Sequence, residues 1–456
     1  MESSEQAGTY DMATIAPARA GGKLWRHRAF MLFWSGETVS LFGTQITMLA
    51  LPLTAVLTLQ ATASQLGWIR FAEALPFVLF TLVFGAWVDR RRRKPALILA
   101  NASRAVLIGL VPLLAVLGLL RLPLLAAIAF GMGVFAVLFD VTWLAYVPTL
   151  VRTDDLVEAN GKASTSAASA EVAGPGIGGV LVQTLTAPLA LLADALSYVV
   201  ATITLLAIRA PEPAPRAQAN RRLLLEIREG AQVVWRNPSL RAITFMSGLW
   251  NMLFGVADTL FVFYAVRQLG IGAGALGGVF AVGAVGGLIG SAISTRLGQR
   301  GRFGPVLGVA FTCGTLPWLL LPSVTGPRSL EIAGFTLAYF IVRLGLGLWG
   351  VLVLSYRQAV TPNHLQGRVG ASMRFVSYGL GALGYLLAGI LPALTGLRPA
   401  LWLAALGFVV ILLITLLVTP LPRLRSIPTA SDTDEPAREQ REAEPALRNS
   451  SGLQAE

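Results

Sequence analysis

The sequence contains one cysteine, Cys313, and two histidines, His27 and His364, among 456 residues. A single cysteine cannot form an intrachain disulfide, and so few thiol and imidazole groups argue against a His/Cys metal site. The first 22 residues are small and polar without an apolar core, so we expect no cleavable signal peptide. No phosphate-binding glycine loop or nucleophile–base constellation stands out either. We therefore predict a protein that is not an enzyme and that has no metal and no cofactor.

Charge is also scarce: charged residues are 13% of the chain, whereas apolar residues are 55% and the mean hydropathy is +0.67. Soluble globular domains average about 25% charged and about 45–50% apolar residues. The excess of apolar side chains must be removed from water. Apolar runs of roughly 20 residues, long enough to cross a bilayer, recur along the chain. The sequence therefore predicts an all-α integral membrane protein.

Polar segments divide the chain into twelve apolar runs, and we predict one transmembrane helix from each. These spans are about 30–57, 65–88, 96–118, 122–146, 163–184, 188–208, 240–265, 274–295, 305–322, 331–356, 369–391 and 397–419. The predicted organisation is a tail at 1–24, a six-helix bundle at 25–209, a linker at 210–238, a second six-helix bundle at 239–419 and a disordered tail at 420–456. Ser35–Gly43 and Ser247–Gly255 share Ser-Gly and Leu-Phe-Gly at matching places. This weak repeat indicates two pseudo-symmetric halves around a central cavity.

The net charge of +12 comes from basic residues, nearly all arginine, in short clusters between spans. A nucleic-acid-binding protein would carry them along one polar domain, so we predict no nucleic-acid partner. The clusters fall on alternate loops. By the positive-inside rule, these loops and both termini lie in the cytoplasm of a bacterial cell, and the chain is a multi-pass protein of its inner membrane.

The loop between spans 2 and 3 reads GAWVDRRRRKP, from Gly85 to Pro95. Its basic residues could simply anchor the topology. Asp89 contributes little to orientation, but its carboxylate could accept hydrogen bonds from the N-terminus of a neighbouring helix. An acid at this place therefore suggests a role beyond orientation.

The same loop resembles the signature of the major facilitator superfamily, Gly-x-x-x-Asp-Arg followed by basic residues. The matching positions are Gly85, Asp89, Arg90, Arg93 and Lys94, whereas Arg92 replaces the usual Gly. In span 5, AEVAGPGIGG is similar to the family's antiporter motif at Ala170, Gly174, Pro175, Gly178 and Gly179. Other stretches, from FWSGETVS to LLADALSYV, resemble the drug:proton antiporter branch that contains macrolide and siderophore exporters. The resemblance implies the major facilitator fold and a loop that latches the two halves in the outward-facing state.

Charged residues inside spans cost at least about 2.5–3.5 kcal/mol each at the bilayer centre, so they tend to face a cavity or a partner. Arg70 and Glu73 lie three apart in span 2 and can pair. For Arg104 in span 3 and Asp140 in span 4, we expect a fixed interhelical salt bridge. The remaining charge partners inside spans are Glu171, Asp194 and Arg343.

Burial favours the protonated form of a carboxylic acid, so a buried acid can bind and release a proton as the cavity changes the side to which it opens. Glu37 and Asp258 are our first and second proton-coupling candidates because each lies on the first helix of its half. Glu73 is the third. A purely structural role is the alternative for each.

These features predict a secondary active transporter that exports a hydrophobic or amphiphilic small molecule by alternating access, in exchange for protons. We predict a monomer in the lipid bilayer. One alternative keeps the fold but makes the protein an importer or a flippase for a lipid-like molecule. Another alternative is a membrane sensor or scaffold that transports nothing.

Overall fold

The computed structural model describes residues 24–88, 90–209, 212, 223–298, 303–362 and 365–424. Asp89, nearly all of both predicted tails and part of the predicted linker lie outside the described residues. Within this part of the chain the regular structure is helical, with no strand. The helices of the first half are α1 (Arg28–Leu53), α2 (Ala63–Val88), α3 (Arg93–Val116), α4 (Leu122–Leu150), α5 (Leu156–Thr184) and α6 (Ala187–Ala207).

The second half follows a helix of the linker, α7 (Leu223–Arg236). Its helices are α8 (Pro238–Arg267), α9 (Ala273–Gly298), α10 (Phe303–Thr315), α11 (Arg328–Val360), α12 (Gln366–Thr395) and α13 (Leu397–Leu413). α10 continues through a 3-10 turn, Leu316–Leu319, and a short helix, Leu320–Ser323. α1 and α13 each end in a π-helical turn, Thr54–Thr58 and Ile414–Val418.

Every predicted span coincides with one of these helices, and the largest boundary error is at α5. This helix begins at Leu156, seven residues before the predicted start at 163. Its first two turns are polar, so hydropathy does not mark them, yet an ion pair of 3.8 Å joins Glu158 to Lys162 across one turn. Lys162 also lies over the ring of Trp25, 3.4 Å from its centre. In the described residues, eleven helices have the length and hydropathy of a membrane span, and α5 is not among them.

Polar side chains fix where several helices begin. His27 Nδ1 accepts a hydrogen bond from the Phe30 backbone N–H at the start of α1, at 3.1 Å. Asn237 Oδ1 accepts from the second and third residues of α8, both at 3.0 Å. Glu212, from the linker, accepts from the first two backbone N–H groups of α3. Each contact satisfies donors that a helix N-terminus would otherwise leave unpaired.

The helices form two bundles with the same internal arrangement. In the first, α1 packs on α5 and α6, and α4 packs on α2 and α3; in the second, α8 packs on α12 and α13, and α11 packs on α9 and α10. The main contacts between the bundles are α2 with α12 and α5 with α9. The second and fifth spanning helices of one half therefore meet the fifth and second of the other. We call the end of the molecule that carries Leu24 and Leu424 the terminal end, and the other the opposite end.

Candidate functional site

Glycines bring the two halves together at the opposite end. Gly67 of α2 is so close to the backbone of Gly389 in α12 that there is no room for a side chain between them. Between α5 and α9, a Cβ added at Gly179 would lie 2.7 Å from the Ala273 carbonyl oxygen, and one at Gly277 would lie 3.0 Å from Gly179 Cα. Small residues permit this close backbone approach between membrane helices. The seam between the halves is therefore closed at the opposite end.

Glycines at the terminal end of the same helices have no such close contacts. A Cβ added at Gly85 in α2, Gly161 in α5 or Gly367 in α12 would meet no atom within 4 Å. Gly379, further along α12, also has free space. These glycines make no contact with the other half, unlike Gly67, Gly179 and Gly277 at the opposite end.

A central cavity of about 510 Å³ lies between the halves. Much of its wall is apolar, and the Phe77 and Tyr378 rings meet across the seam with centres 5.7 Å apart. Asn251 and Gln45 add amide groups to the wall. Such a lining suits a molecule with a large apolar surface and a few polar groups.

An ion network crosses the seam at this cavity. Arg70 of α2 binds Glu73 Oε2 through Nη1 at 3.3 Å and Asp258 Oδ2 of α8 through Nη2 at 3.2 Å. The Tyr339 hydroxyl donates to Asp258 Oδ1 at 3.1 Å, and the Arg70 guanidinium lies over the Tyr385 ring, 5.6 Å from its centre. Arg70 and Asp258 are each only 8% exposed. A pair this well buried is held in place because either charge alone would be unfavourable there.

A second ion pair also joins the halves. Arg343 of α11 binds Glu171 of α5, and both side chains line the central cavity. Spacing in the sequence could not predict the Arg70–Asp258 or the Arg343–Glu171 pair, because the partners of each are more than 170 residues apart along the chain.

A second cavity of about 480 Å³, which we call the vestibule, lies at the terminal end of the first half. It is lined by the first turns of α1 and α5, together with Trp34, Trp143, Glu37 and Arg374. Asp140 lines both the vestibule and the central cavity. Among the described residues, neither Glu37 nor Asp140 forms an ion pair or a hydrogen bond. The two cavities thus share a carboxylate that has no direct protein partner in this part of the chain.

Comparison with known proteins identifies the family. The profile described as Major Facilitator Superfamily matches residues 33–385. The chain belongs to this superfamily. It is therefore a multi-pass membrane transporter for a small molecule and not an enzyme, as the sequence predicts.

Two curated relatives of this transporter are efflux proteins. It is 26% identical over 410 residues to the multidrug efflux pump Tap of Mycolicibacterium fortuitum, which covers 85% of this chain and 94% of that protein. It is 24% identical over 238 residues to macrolide efflux protein A of Streptococcus pyogenes, which covers 51% of this chain and 57% of that protein.

Solved structures share the fold at lower identity. The nucleoside transporter NupG superposes with a TM-score of 0.67 at 10% identity, covering 85% of this chain and 98% of that chain. A bacterial homologue of the human lysosomal transporter Spinster, in an inward-facing and unoccupied conformation, gives a TM-score of 0.66 at 14% identity, covering 89% and 98%. These likenesses confirm the predicted major facilitator fold.

The transporter's signature loop contacts its own half. Arg90 is exposed, and the backbone N–H groups of Arg93 and Lys94 are bound by Glu212. Lys94 Nζ also donates to the Ile208 carbonyl oxygen at the end of α6. Asp89, the acid of the signature, lies outside the described residues, and the sequence analysis did not anticipate Glu212.

The span 5 motif divides between two helices. Ala170, Gly174 and Gly178 form a buried stripe, and the two glycines of this stripe lie against Gln45 and Ile46 of α1, in the same half. Gly179 instead faces α9 across the seam. Pro175 lines the central cavity, and its carbonyl oxygen lies against Gly277.

The predicted salt bridge between Arg104 and Asp140 is wrong. Arg104 Nη2 donates to Asn101 Oδ1 at 2.7 Å, and its guanidinium lies 4.6 Å from the Phe139 ring centre and 4.3 Å from that of Tyr198. The two rings and the amide hold the guanidinium in place of the carboxylate, because aromatic faces attract a cation in an apolar setting.

Asp194 is fully buried and joins α6 to α1. It accepts hydrogen bonds from Thr47 Oγ1 at 2.5 Å and from Ser197 Oγ at 3.0 Å. Neither cavity reaches it. In the part of the chain that the structure describes, no group of three His, Cys, Asp or Glu side chains could hold a metal ion.

Proposed function

We propose that this transporter exports a hydrophobic or amphiphilic small molecule by alternating access, in exchange for protons. The observation that carries the proposal is the central cavity: its wall combines aromatic rings with carboxylates, it is closed at the opposite end, and it meets the vestibule at Asp140. A bulky apolar molecule suits the rings, and exchangeable acids suit proton coupling. The efflux functions in the names of two relatives support the direction of transport.

The terminal end faces the cytoplasm in this proposal. The signature loop and most other basic loops lie there, which agrees with the positive-inside rule. The structure then corresponds to an inward-facing state that receives substrate from the cytoplasm. We also propose a monomer as the working unit.

Protons enter the cycle at the ion network. The ion pair between Arg70 and Asp258 requires an ionised Asp258, and this pair holds the halves together near the closed end. Asp258 carries a proton inward and releases it toward the terminal end. The ionised Asp258 then pairs with Arg70, and incoming substrate competes with this ion pair. Glu73 shares Arg70 and is the second acid of this network, whereas Glu37 is the acid of the vestibule.

The two sequence motifs have conformational roles in this proposal. Gly85, Asp89, Arg90, Arg93 and Lys94 form the latch of the outward-facing state. In the inward-facing state the Glu212 carboxylate accepts hydrogen bonds from the backbone N–H groups of Arg93 and Lys94, at the N-terminus of α3. The small residues of the span 5 motif keep α5 packed on α1, so that the two helices move together when Gly179 of α5 separates from α9.

Accumulation of a fluorescent dye in efflux-deficient cells tests this function. The comparison uses wild type, Asp258→Asn, Glu37→Gln and an empty vector, each with and without a protonophore. Asp154→Asn is the matched control, because Asp154 is an exposed acid outside both cavities. We expect wild type and the control to lower dye accumulation only without protonophore, and Asp258→Asn to resemble the empty vector.

Three outcomes would contradict parts of the proposal. Higher accumulation with wild type indicates an importer. Export that persists with the protonophore excludes proton exchange. If no dye or macrolide in a broad panel distinguishes wild type from the empty vector, the small-molecule export function is wrong.

A further inference from the structure

Asp140 occupies a position that the ion network leaves unexplained. It is the one acid that lines both the central cavity and the vestibule among the described residues. Asp140 is an exposed residue, and it lies where the two cavities meet. A molecule that moves from the vestibule to the central cavity therefore passes Asp140.

The basic groups near Asp140 do not bind it. Arg104 interacts with it electrostatically, but the Arg104 guanidinium is held by Asn101 and two aromatic rings. Arg374 of α12 also interacts with it and lines the vestibule, again without an ion pair. Glu37 of α1 lines the same cavity and adds a second carboxyl group there. Asp140 consequently retains its capacity for charge-assisted hydrogen bonds.

The charge of the central wall favours a cation. Its ionisable carboxylates and guanidiniums are Glu73, Asp140, Glu171 and Asp258 against Arg70 and Arg343. With all of them ionised, the wall carries two more negative charges than positive ones. A cation that binds at Asp140 offsets part of this excess before it reaches the Arg70–Asp258 pair, with which it then competes.

Aromatic rings stand on both sides of Asp140. Trp34 and Trp143 line the vestibule, and Phe77 and Tyr378 line the central cavity. Ring faces attract organic cations and also pack against their apolar bodies. A binding site for a neutral lipid-like substrate would not need an unpaired carboxylate between aromatic rings, whereas a site for an organic cation would.

We propose that Asp140 is a specificity-determining residue that binds the charged group of a monovalent organic cation with a bulky apolar body, as this cation passes from the vestibule to the central cavity. This inference rests on the proposed function and names its substrate class. Trp34 and Trp143 hold the cation first, and the seam-side rings of Phe77 and Tyr378 receive its apolar body.

Equilibrium binding to the full-length protein in nanodiscs tests the inference. The probes are radiolabelled tetraphenylphosphonium, a cation, and triphenylphosphine oxide, a neutral molecule that also carries phenyl rings on phosphorus. We expect Asp140→Asn to weaken tetraphenylphosphonium binding roughly 10-fold or more, as loss of a charge-assisted contact predicts, and to leave the neutral probe unaffected. Asp140→Glu should retain cation binding, and Asp154→Asn should match wild type for both probes.

A protection measurement on wild type does not depend on the folding of any variant. A hydrophobic carbodiimide should modify Asp140, and tetraphenylphosphonium should protect it whereas the neutral probe should not. Peptide mass spectrometry locates the modified carboxylate. Absence of such protection would overturn the assignment of Asp140.

The outcomes separate this inference from the proposed function. If wild type binds the neutral probe but not the cation, the inference fails and the proposed function stands. If neither probe binds and no dye is exported, both fail. If Asp140→Asn weakens both probes equally, Asp140 maintains the cavity and does not select charge, so the inference is wrong.

Discussion

The Arg70 side chain contacts residues of both halves, although helical spacing in the sequence predicts only its contact with Glu73. One guanidinium reaches Glu73 on its own helix and Asp258 on α8, and it covers the face of Tyr385 on α12. Its Nε has no partner among the described residues. Because three helices depend on this side chain, a change there should affect stability and transport together.

Removing one charge of the buried pair should destabilise the protein. Arg70→Gln leaves Asp258 without its ion-pair partner, which in buried pairs costs about 3–5 kcal/mol. We expect a clearly lower melting temperature in detergent, measured by tryptophan fluorescence. The double variant Arg70→Gln with Asp258→Asn should recover much of the loss but should not recover proton-coupled export. A double variant as unstable as the sum of the two single variants would show that the pair is not coupled.

The hydroxyl of Tyr339 provides a milder test of the same site. Tyr339→Phe removes one hydrogen bond to Asp258 and keeps the ring, so we expect a loss of about 1.5–3 kcal/mol, the range for a hydrogen bond to a charged group. Chemical or thermal unfolding in matched nanodiscs gives the difference. Stability equal to wild type would mean that this hydrogen bond does not hold Asp258.

Among the elements, α9 offers a matched pair of glycines for testing the closed seam. A side chain at Gly277 meets the Pro175 carbonyl oxygen of α5, whereas one at the adjacent Gly278 meets nothing within 4 Å. Overpacking a tight contact costs about 1–3 kcal/mol. Gly277→Ala should therefore push α5 from α9 and favour the state that is open at the opposite end, whereas Gly278→Ala should not.

Distances between spin labels can detect this shift. Labels at Leu119 and Gln268 lie in loops of different halves at the opposite end, and Cys313 is replaced by serine in every protein. We expect a longer distance population in Gly277→Ala than in Gly278→Ala. Identical distributions would show that the glycine contact does not control closure.

The sequence predicts the elements better than it predicts their contacts. Runs of apolar and small residues between polar segments locate all twelve spans because a bilayer imposes a minimum length on each, although α5 has lower hydropathy than the other eleven. Hydropathy places the start of α5 too late, because polar turns held by Glu158 and Lys162 carry no hydropathy signal. Helical spacing brings Arg70 to Glu73, but no local pattern encodes how α2 lies against α8, so Asp258 is missed as a partner. The error at Arg104 has the same origin, since rings from α4 and α6 replace the expected carboxylate.

For the whole molecule, orientation is the prediction with the simplest test. Cysteine is introduced at Thr153, an exposed residue of the terminal end, or at Leu119, an exposed residue of the opposite end, in a protein with Cys313 replaced by serine. In intact cells a membrane-impermeant maleimide should label only the cysteine at 119. After the membrane is permeabilised, it should label both. Labelling of position 153 in intact cells would reverse the orientation proposed for the terminal end.

The low hydropathy of α5 has a consequence for how the protein is made. A nascent segment passes from the translocon into the bilayer only if its free energy is lower in lipid than in the aqueous channel. The hydropathy of α5 is below that of the other spans. Its polar side finds a partner in α1, where Thr38 and Ser166 share a hydrogen bond of 2.9 Å and Gly174 lies against Gln45. We therefore expect α5 to enter the bilayer late, as a hairpin with α6, and only beside an α1 that is already in place. Insertion of the first half therefore depends on α1, the helix that is synthesised first.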